Sequence, residues 1–454
     1  MSQASQQVGT AEVTASPSTA AGATTTAPPS PTAVTVSPQP DSATSGRVSK
    51  AAAAISQMST PLRLRWLSLG VVVVGVVIGV IGALMFAYLA SSLNRAKEDT
   101  AQLIRVQKIQ SNLLSADATA TNAFLVGGLE PPAQRAAYDQ AMSSTSALIA
   151  EAAQAQPTDG SALSALNQQV LSYAGTIEQA RANNRQGLPV GAQYLRNASA
   201  QLRSDALPIL DNLVAANSAR ATDEMKAGPG YVFLVITLLA LGAMIAVQVW
   251  LARRFKRTIN VGMLVSSIVL FILLAGSLIV VVQLSSALKD ISSGSLAAVN
   301  TAADARINAN NAKSNESLTL IARGSGQAFE TAWKSSADSV SESVGRLTDR
   351  PELASQWQAY TDVHTQIRAL DDGGQWDRAV AMATGSGKNS SNTVFSAFDG
   401  NLAGYLDGVS QDASDSLANQ QPIMVIAAIL ILLGGLAAAL LGRRGVAERL
   451  REYR

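Results

Sequence analysis

Four stretches of the chain are apolar and free of charged residues over the length that a membrane-spanning helix requires. They cover residues 66–90, 231–252, 259–283 and 423–442. An α-helix needs about 20 such residues to cross a hydrocarbon core of ~30 Å. The hydrophobic pattern therefore predicts an all-α membrane protein with four transmembrane helices.

Residues 91–230 show the three- and four-residue spacing of apolar positions that is typical of amphipathic helices. In the first of these helices, residues 91–126, the opposite face is polar and the apolar positions are Leu93, Ala96, Leu103, Val106, Ile109, Leu113, Ala116, Ala120 and Ala123. No glycine or proline separates this helix from the first span, so one continuous helix should reach about 54 Å beyond the bilayer. Glycines and prolines then delimit three further helices, with a kink expected at Pro208. Four helices with short connections predict an antiparallel four-helix bundle.

Residues 284–421 repeat this plan, with helix breaks expected at the glycines of 324–326 and 385–387. The two segments are nearly equal in length, and Leu210-Asp211-Asn212-Leu213 has a counterpart in Phe398-Asp399-Gly400-Asn401-Leu402. We interpret the chain as a tandem duplication of span, bundle and span. The predicted fold is thus four transmembrane helices with two tandem extracytoplasmic four-helix bundles.

Positive charge indicates the orientation in the membrane. The short link of residues 253–258 joins the second and third spans and carries Arg253, Arg254, Lys256 and Arg257. Short cytoplasmic loops collect Lys and Arg, so we place this link in the cytoplasm. Residues 1–61, rich in Ala, Ser, Thr and Pro, should form a disordered cytoplasmic tail, and residues 443–454 a basic cytoplasmic tail. The expected location is the plasma membrane, with several passes and both termini cytoplasmic.

Composition narrows the function classes. The chain has no cysteine and one histidine, and its formal net charge of +2 does not suit a nucleic-acid partner. No metal-ligand spacing, phosphate-binding loop or nucleophile–base pair appears, so we expect no catalytic residue, no metal and no cofactor. The four spans contain no ionisable residue, which disfavours a transporter. Enzyme activity is not expected.

Polar residues on the first helix of each bundle are the candidates for binding a ligand or partner. They are Arg105, Asp117 and Asn122 in the first bundle, and Arg306, Asn310, Asn315, Glu316 and Arg323 in the second. An arginine with flanking asparagines can hold a carboxylate in a bidentate manner. The alternative is that each lies on a solvated helix face. His364 is either a surface or bundle-packing histidine, or a pH-sensing or ligand-binding one. The spacing of Gly75 and Gly79 suits a close contact between helices.

Residues 104–128, IRVQKIQSNLLSADATATNAFLVGG, resemble the first helix of the four-helix-bundle sensor domains of bacterial chemoreceptors and sensor kinases. Chemoreceptors also carry a long cytoplasmic signalling helix, and this sequence departs from that pattern because only residues 1–61, 253–258 and 443–454 are expected in the cytoplasm. In overall plan, residues 62–444 are more similar to the GlnX-type four-span membrane proteins of amino-acid sensing systems. That resemblance implies an extracytoplasmic solute-binding lipoprotein and a cytoplasmic Ser/Thr protein kinase as partners, and sensors of this bundle type often act as homodimers.

These patterns favour an integral membrane signal transducer that relays an extracytoplasmic cue to a cytoplasmic partner. The resemblance implies that the cue is amino-acid availability and that the partner is the kinase. Its expected partners are the lipoprotein, the kinase, membrane lipid and a second copy in a homodimer, with no nucleic acid. The alternative is a non-signalling envelope scaffold or accessory subunit of a membrane complex.

Overall fold

A computed structural model describes residues 60–226, 228–255 and 260–451, and in these ranges the chain is helical with no strand. Four helical segments are long and apolar enough to cross a membrane: Arg65–Val126, Gly230–Trp250, Val261–Ile321 and Ser391–Ala447. The prediction of an all-α membrane protein with four transmembrane helices is confirmed. Contacts among the helices join them into one compact unit, Thr60–Arg454.

The first bundle is built from five helices and two irregular turns. Helix α1 (Thr60–Val126) runs unbroken from the first span to the far end of the bundle, as predicted. It is followed by α2 (Pro132–Ala155), a 3₁₀ turn (Pro157–Asp159), α3 (Gly160–Arg185), α4 (Val190–Gln201), a π-turn (Leu202–Ala206) and α5 (Leu207–Glu224). Helices α4, the π-turn and α5 together form the returning fourth arm of the bundle.

A π-turn precedes Pro208, where the sequence predicted a kink. The amide of Leu207 donates to the carbonyl of Leu202, five residues back. A proline cannot donate to the carbonyl four residues earlier, and its ring crowds that turn. The wider π-turn accommodates both effects, so the arm continues as a helix into α5.

The apolar positions predicted for the outer part of α1 are all buried. Val106, Ile109, Leu113, Ala116 and Ala120 share one core with Leu166, Tyr173, Leu195 and Leu210 of α3, α4 and α5, whereas Leu93, Ala96 and Leu103 belong to the core that extends into the membrane segments. The three- and four-residue spacing thus identified the face of α1 that forms the core of this bundle.

The second half of the described chain contains α6 (Gly228–Phe255), α7 (Val261–Asp290), a π-turn (Ile291–Ser295), α8 (Leu296–Ile321), α9 (Gln327–Arg346), α10 (Pro351–Asp372), α11 (Trp376–Thr384) and α12 (Ser391–Arg451). Helices α8, α9, α10 and α12 surround an aromatic core of Trp333, Trp357, Tyr360, Phe395 and Phe398. The fourth arm is interrupted between α11 and α12, at the glycines where loosening was predicted. No such interruption occurs in the first bundle, so the two bundles share a plan but differ in detail.

Within the membrane segments, α1 and α12 pack backbone against backbone. A Cβ atom added to Gly75 would lie 2.8 Å from the backbone nitrogen of Ala439, and one added to Gly79 would lie 3.1 Å from the Cα of Gly435. Glycine is needed at both positions because any side chain would push the helices apart. The predicted close helix contact is confirmed.

Helices α1 and α12 also keep one antiparallel register from the membrane to the far end of the bundles. Asn392 donates to Asn122 at 2.9 Å, and Lys108 pairs with Asp407 at 2.7 Å. Gly79 and Gly435 meet in the membrane segment, 43 residues from Asn122 and Asn392 along their respective helices. At 1.5 Å per residue this contact extends for about 65 Å.

Several predicted features lie outside the described residues. These are most of the 1–61 tail, Lys256 and Arg257 of the central link, and the end of the C-terminal tail. Arg253 is exposed at the end of α6, where the side chain of Arg254 is not described. The side of the membrane on which the bundles lie, and their origin by duplication, stay predictions.

Candidate functional site

Helix α1 contributes to both bundles. One face forms the core of the first bundle, and the face that the sequence marks as polar packs against α8 and α12 of the second. We call this contact of α1 with α8 and α12 the seam. Polar side chains on the α1 side are buried there, including Gln107, Ser111, Asp117 and Asn122. A solvated helix face is therefore not the role of these positions.

Asp117 is the main polar connection across the seam. Its side chain is fully buried and accepts hydrogen bonds from Ser199 (2.6 Å), Tyr173 (3.3 Å) and Arg203 (3.1 Å) of its own bundle. It also accepts one from Ser314 of α8 at 2.7 Å. Arg203 donates to the same serine hydroxyl at 3.1 Å. The two oxygens of the Asp117 carboxylate thus connect α1, α3 and the fourth arm of the first bundle with α8 of the second bundle.

Asn122 lies at the far end of the seam, beside a cleft between the bundles. Its side-chain oxygen accepts hydrogen bonds from Gln134 of α2 and Asn392 of α12, both at 2.9 Å. The cleft has a volume of about 390 Å³ and is lined mainly by amide and hydroxyl side chains, with Lys313 and Asp399 as its charged members. The side-chain oxygen of Gln134 is buried without a hydrogen-bond partner in the described structure.

Two other predicted residues meet at the wall of this cleft. Arg306 forms a two-point contact with the carboxylate of Asp399, at 2.9 and 3.2 Å. Asn310 donates to the same carboxylate at 3.3 Å. Burial alone would lower the pKa of Arg306, but Asp399 outweighs it and raises that pKa. Arg306 thus already pairs with a carboxylate of this chain. It holds Asp399 in place at the cleft wall and is not free to bind the carboxylate of a ligand.

Glu316 is buried inside the second bundle, next to the cleft. Lys313 donates to it at 2.7 Å, Ser391 at 2.6 Å, and the Nδ1 atom of His364 lies 3.1 Å away. Burial by itself would raise the pKa of this carboxyl, but the charges of Lys313 and His364 outweigh it and lower the pKa to about 2. Glu316 is therefore a structural anion.

His364 is a bundle-packing histidine. It lies between Glu316 and Glu330, whose oxygen is 3.2 Å from Nε2, and its ring stacks on Trp333 with centroids 3.5 Å apart. Burial favours the neutral ring, but the hydrogen bonds to the two carboxylates outweigh it and raise the pKa of His364. The imidazolium form is thus stabilised by two flanking acids.

The remaining predicted residues take separate places. Arg105 lies outside the cleft and donates to Gln102 at 3.3 Å. Asn315 is buried within α8. Arg323 lies near the start of the loop between α8 and α9, has a left-handed φ of 40° and stacks on the ring of Trp376 at 3.8 Å. The seam thus brings together Asp117, Asn122 and Asn310, with Glu316 next to it, and leaves Arg105 and Arg323 apart.

Sequence reasoning missed several members of the site, namely Gln134, Arg203, Lys313, Ser314 and Asn392. Arg203, Ser314 and Asn392 bind partners far along the chain, so no local spacing reveals them, whereas Lys313 lies only three residues before Glu316. One signal was available: residues 312–320 of α8 are polar at most positions yet all buried. A polar stretch without alternating charge in a bundle helix indicates burial against polar partners.

The arrangement is suited to binding. The buried carboxylates of Asp117 and Glu316 are saturated by hydrogen bonds, so neither is free to act as a base. No group of His, Asp and Glu with metal-ligand geometry occurs among the described residues. The cleft offers donors and acceptors that a small polar molecule could engage from both bundles at once.

Comparison with known proteins gives one family match. A family described as an actinobacterial sensor domain matches residues 92–226, which correspond to the first bundle from α1 to the end of α5. No curated protein and no solved structure matches the chain. The first bundle is therefore similar to a sensor domain, and the protein carries it on membrane helices.

Proposed function

We propose that this protein is an integral membrane signal transducer that relays an extracytoplasmic cue to a cytoplasmic partner, without catalysis of its own. The sensor-domain match of the first bundle supports a sensing role. The observation that carries the proposal is the unbroken pair of α1 and α12. It connects the polar seam at the far end of the bundles directly to the membrane.

The seam is the place where a signal would enter. A molecule in the cleft would contact α1, α2, α8 and α12 together, and α1 and α12 continue into the bilayer without a break. Packed helices shift between discrete arrangements more readily than they deform continuously. A small slide or rotation of α1 against α12 would therefore reach the other side of the membrane.

The cue and partners follow from the resemblance in overall plan. We propose that the cue is amino-acid availability, presented by a solute-binding lipoprotein, and that the receiver is a cytoplasmic Ser/Thr protein kinase. In this orientation both termini and the basic link of residues 253–258 face the cytoplasm. A cysteine introduced at position 255 should then resist labelling by an impermeant maleimide added outside intact cells.

Disulfide cross-linking tests the transmission step, because the chain has no cysteine of its own. Lys108→Cys and Asp407→Cys would join α1 to α12 where their side chains now meet. Oxidation should trap one register and abolish the change in kinase phosphorylation that amino-acid addition causes, and reduction should restore it. The control pair Gln356→Cys and Asn401→Cys joins α12 to α10 within one bundle and should leave the response intact.

Two outcomes would contradict the proposal. A fully cross-linked 108/407 protein that still responds would exclude relative motion of α1 and α12 as the signal. A kinase that is recruited equally with and without amino acids, and whose activity never changes, would support the envelope scaffold instead.

A further inference from the structure

The far end of the first bundle contains a second pocket, separate from the seam. It lies among α1, α2, α3 and α4 and has a volume of about 290 Å³. Its floor is apolar and consists of Ala120, Ala123, Phe124, Ile177, Ala180 and Leu195. We call it the tip pocket. Its volume is near the lower end of the usual range of ligand sites, about 300–1,000 Å³.

Charged side chains surround its mouth. Arg181 pairs with Glu130 at 3.0 Å and with Glu178 at 2.7 Å, and Arg135 also pairs with Glu178 at 3.1 Å. Arg185 is a third guanidinium on the rim, exposed to solvent, and it forms no ion pair within the described part of the chain. Arg135 also pairs with Asp139 at 2.9 Å, so Arg135 and Arg181 are both neutralised by carboxylates of this chain and Arg185 is the rim cation without such a partner in the described part of the chain.

The loop above the pocket exposes apolar surface. Gly127 and Gly128 adopt left-handed φ values of 69° and 62°, which let the chain turn back over the end of α1. The next residue, Leu129, lines the pocket and is 85% exposed. Leu188, on the neighbouring loop, is also exposed. Leu129 therefore offers an exposed apolar surface beside the pocket floor.

We propose that the tip pocket binds a small molecule that combines an apolar body with one carboxylate. The apolar body lies on the alanine and phenylalanine floor under Leu129, and the carboxylate pairs with Arg185 beside Arg181. Guanidinium groups bind carboxylates by two parallel hydrogen bonds, which gives both affinity and orientation. The ligand is either a simple carboxylate or an amino acid with an apolar side chain, whose ammonium would face Glu130.

Isothermal titration calorimetry on the full chain in lipid nanodiscs tests this site. The probes are 3-phenylpropanoate, its uncharged isostere 3-phenylpropanamide, and L-phenylalanine. The carboxylate should bind at least tenfold more tightly than the amide. Comparison with L-phenylalanine distinguishes the two sources: tighter binding of the amino acid indicates that Glu130 holds its ammonium, and weaker binding indicates a simple carboxylate.

Two variants locate the binding. Arg185→Gln, at an exposed position that the fold does not depend on, should weaken binding of the carboxylate about tenfold and leave the amide unchanged. Ala123→Leu should fill the floor and reduce binding of both probes. The matched control, Arg196→Gln, changes an arginine of α4 outside the pocket and should bind like the parent protein.

Equal affinity for the carboxylate and the amide, or an unchanged affinity in Arg185→Gln, would overturn the proposal, as would no heat of binding for any probe. This test does not involve the seam or the 108/407 cysteines. Its failure would leave the proposed transmission through α1 and α12 standing.

Discussion

Replacement of Asp117 by alanine is the most informative perturbation of the seam. The change removes a fully buried carboxylate that accepts four hydrogen bonds, including the one from Ser314 that crosses between the bundles. Tyr173, Ser199 and Ser314 would lose an acceptor in a region without solvent access. Arg203, which is partly exposed, would lose its counterion.

The expected loss is large because the remaining groups stay buried without partners. Removal of one member of a buried ion pair costs about 3–5 kcal/mol. Partial hydration of Arg203 keeps the estimate near the lower end of that range. For a domain of this size each kcal/mol lowers the melting temperature by roughly 2–4 °C, so a loss of about 3 kcal/mol should lower it by roughly 6–12 °C. Asp139→Ala is the control, since this exposed carboxylate pairs with Arg135 and should contribute about 0–1 kcal/mol.

The assay is thermal loss of helical circular dichroism for the purified protein in one detergent and at one scan rate, because membrane proteins often unfold irreversibly. A double-mutant cycle with Ser314→Ala then isolates the contact between bundles, for which we expect a coupling of about 0.5–3 kcal/mol. If the melting temperature of Asp117→Ala decreases no more than that of Asp139→Ala, the expected loss of stability is refuted. Zero coupling to Ser314 would show that the hydrogen bond across the seam adds no stability.

Three further predictions concern other contacts. Gly75→Ala should destabilise the packing of α1 against α12 and lower the melting temperature. Gly70→Ala is the control, because its new Cβ meets open space, and it should be neutral or slightly stabilising in the same assay. Equal effects of the two variants would contradict close packing at Gly75. The folded-state pKa of His364 is raised above its ordinary value of 6.5, so its stabilising contribution should be complete below about pH 6.5 and decline as the pH rises through the raised value. In His364→Gln the melting temperature should change less with pH over this range, and an unchanged slope would exclude stabilisation by protonated His364. Lys313→Met should cost about 3–5 kcal/mol because it leaves Glu316 buried without the positive charge of Lys313. The double variant Lys313→Met with Glu316→Gln should recover much of this loss. A double variant no more stable than Lys313→Met alone would contradict the pairing.

The candidate site was only partly predictable. Asp117, Asn122, Asn310 and Glu316 were identified as unusual polar residues on first helices, and the structure places them at or beside the seam. Their partners could not be found, because Arg203 and Asn392 come from arms remote in sequence. The sequence also assigned Arg306 to a ligand, whereas Asp399 of the same chain already occupies it.

The sequence by itself determined the four membrane helices, the continuity of α1 and the apolar face of each bundle. These features depend on local periodicity and on the absence of glycine and proline, which act over a few residues at a time. Only the tertiary structure decided that α1 is buried on its polar face as well. Burial of polar groups is favourable only where each finds a partner, and the partners of Asp117 and Asn122 come from segments that meet only when both bundles have folded.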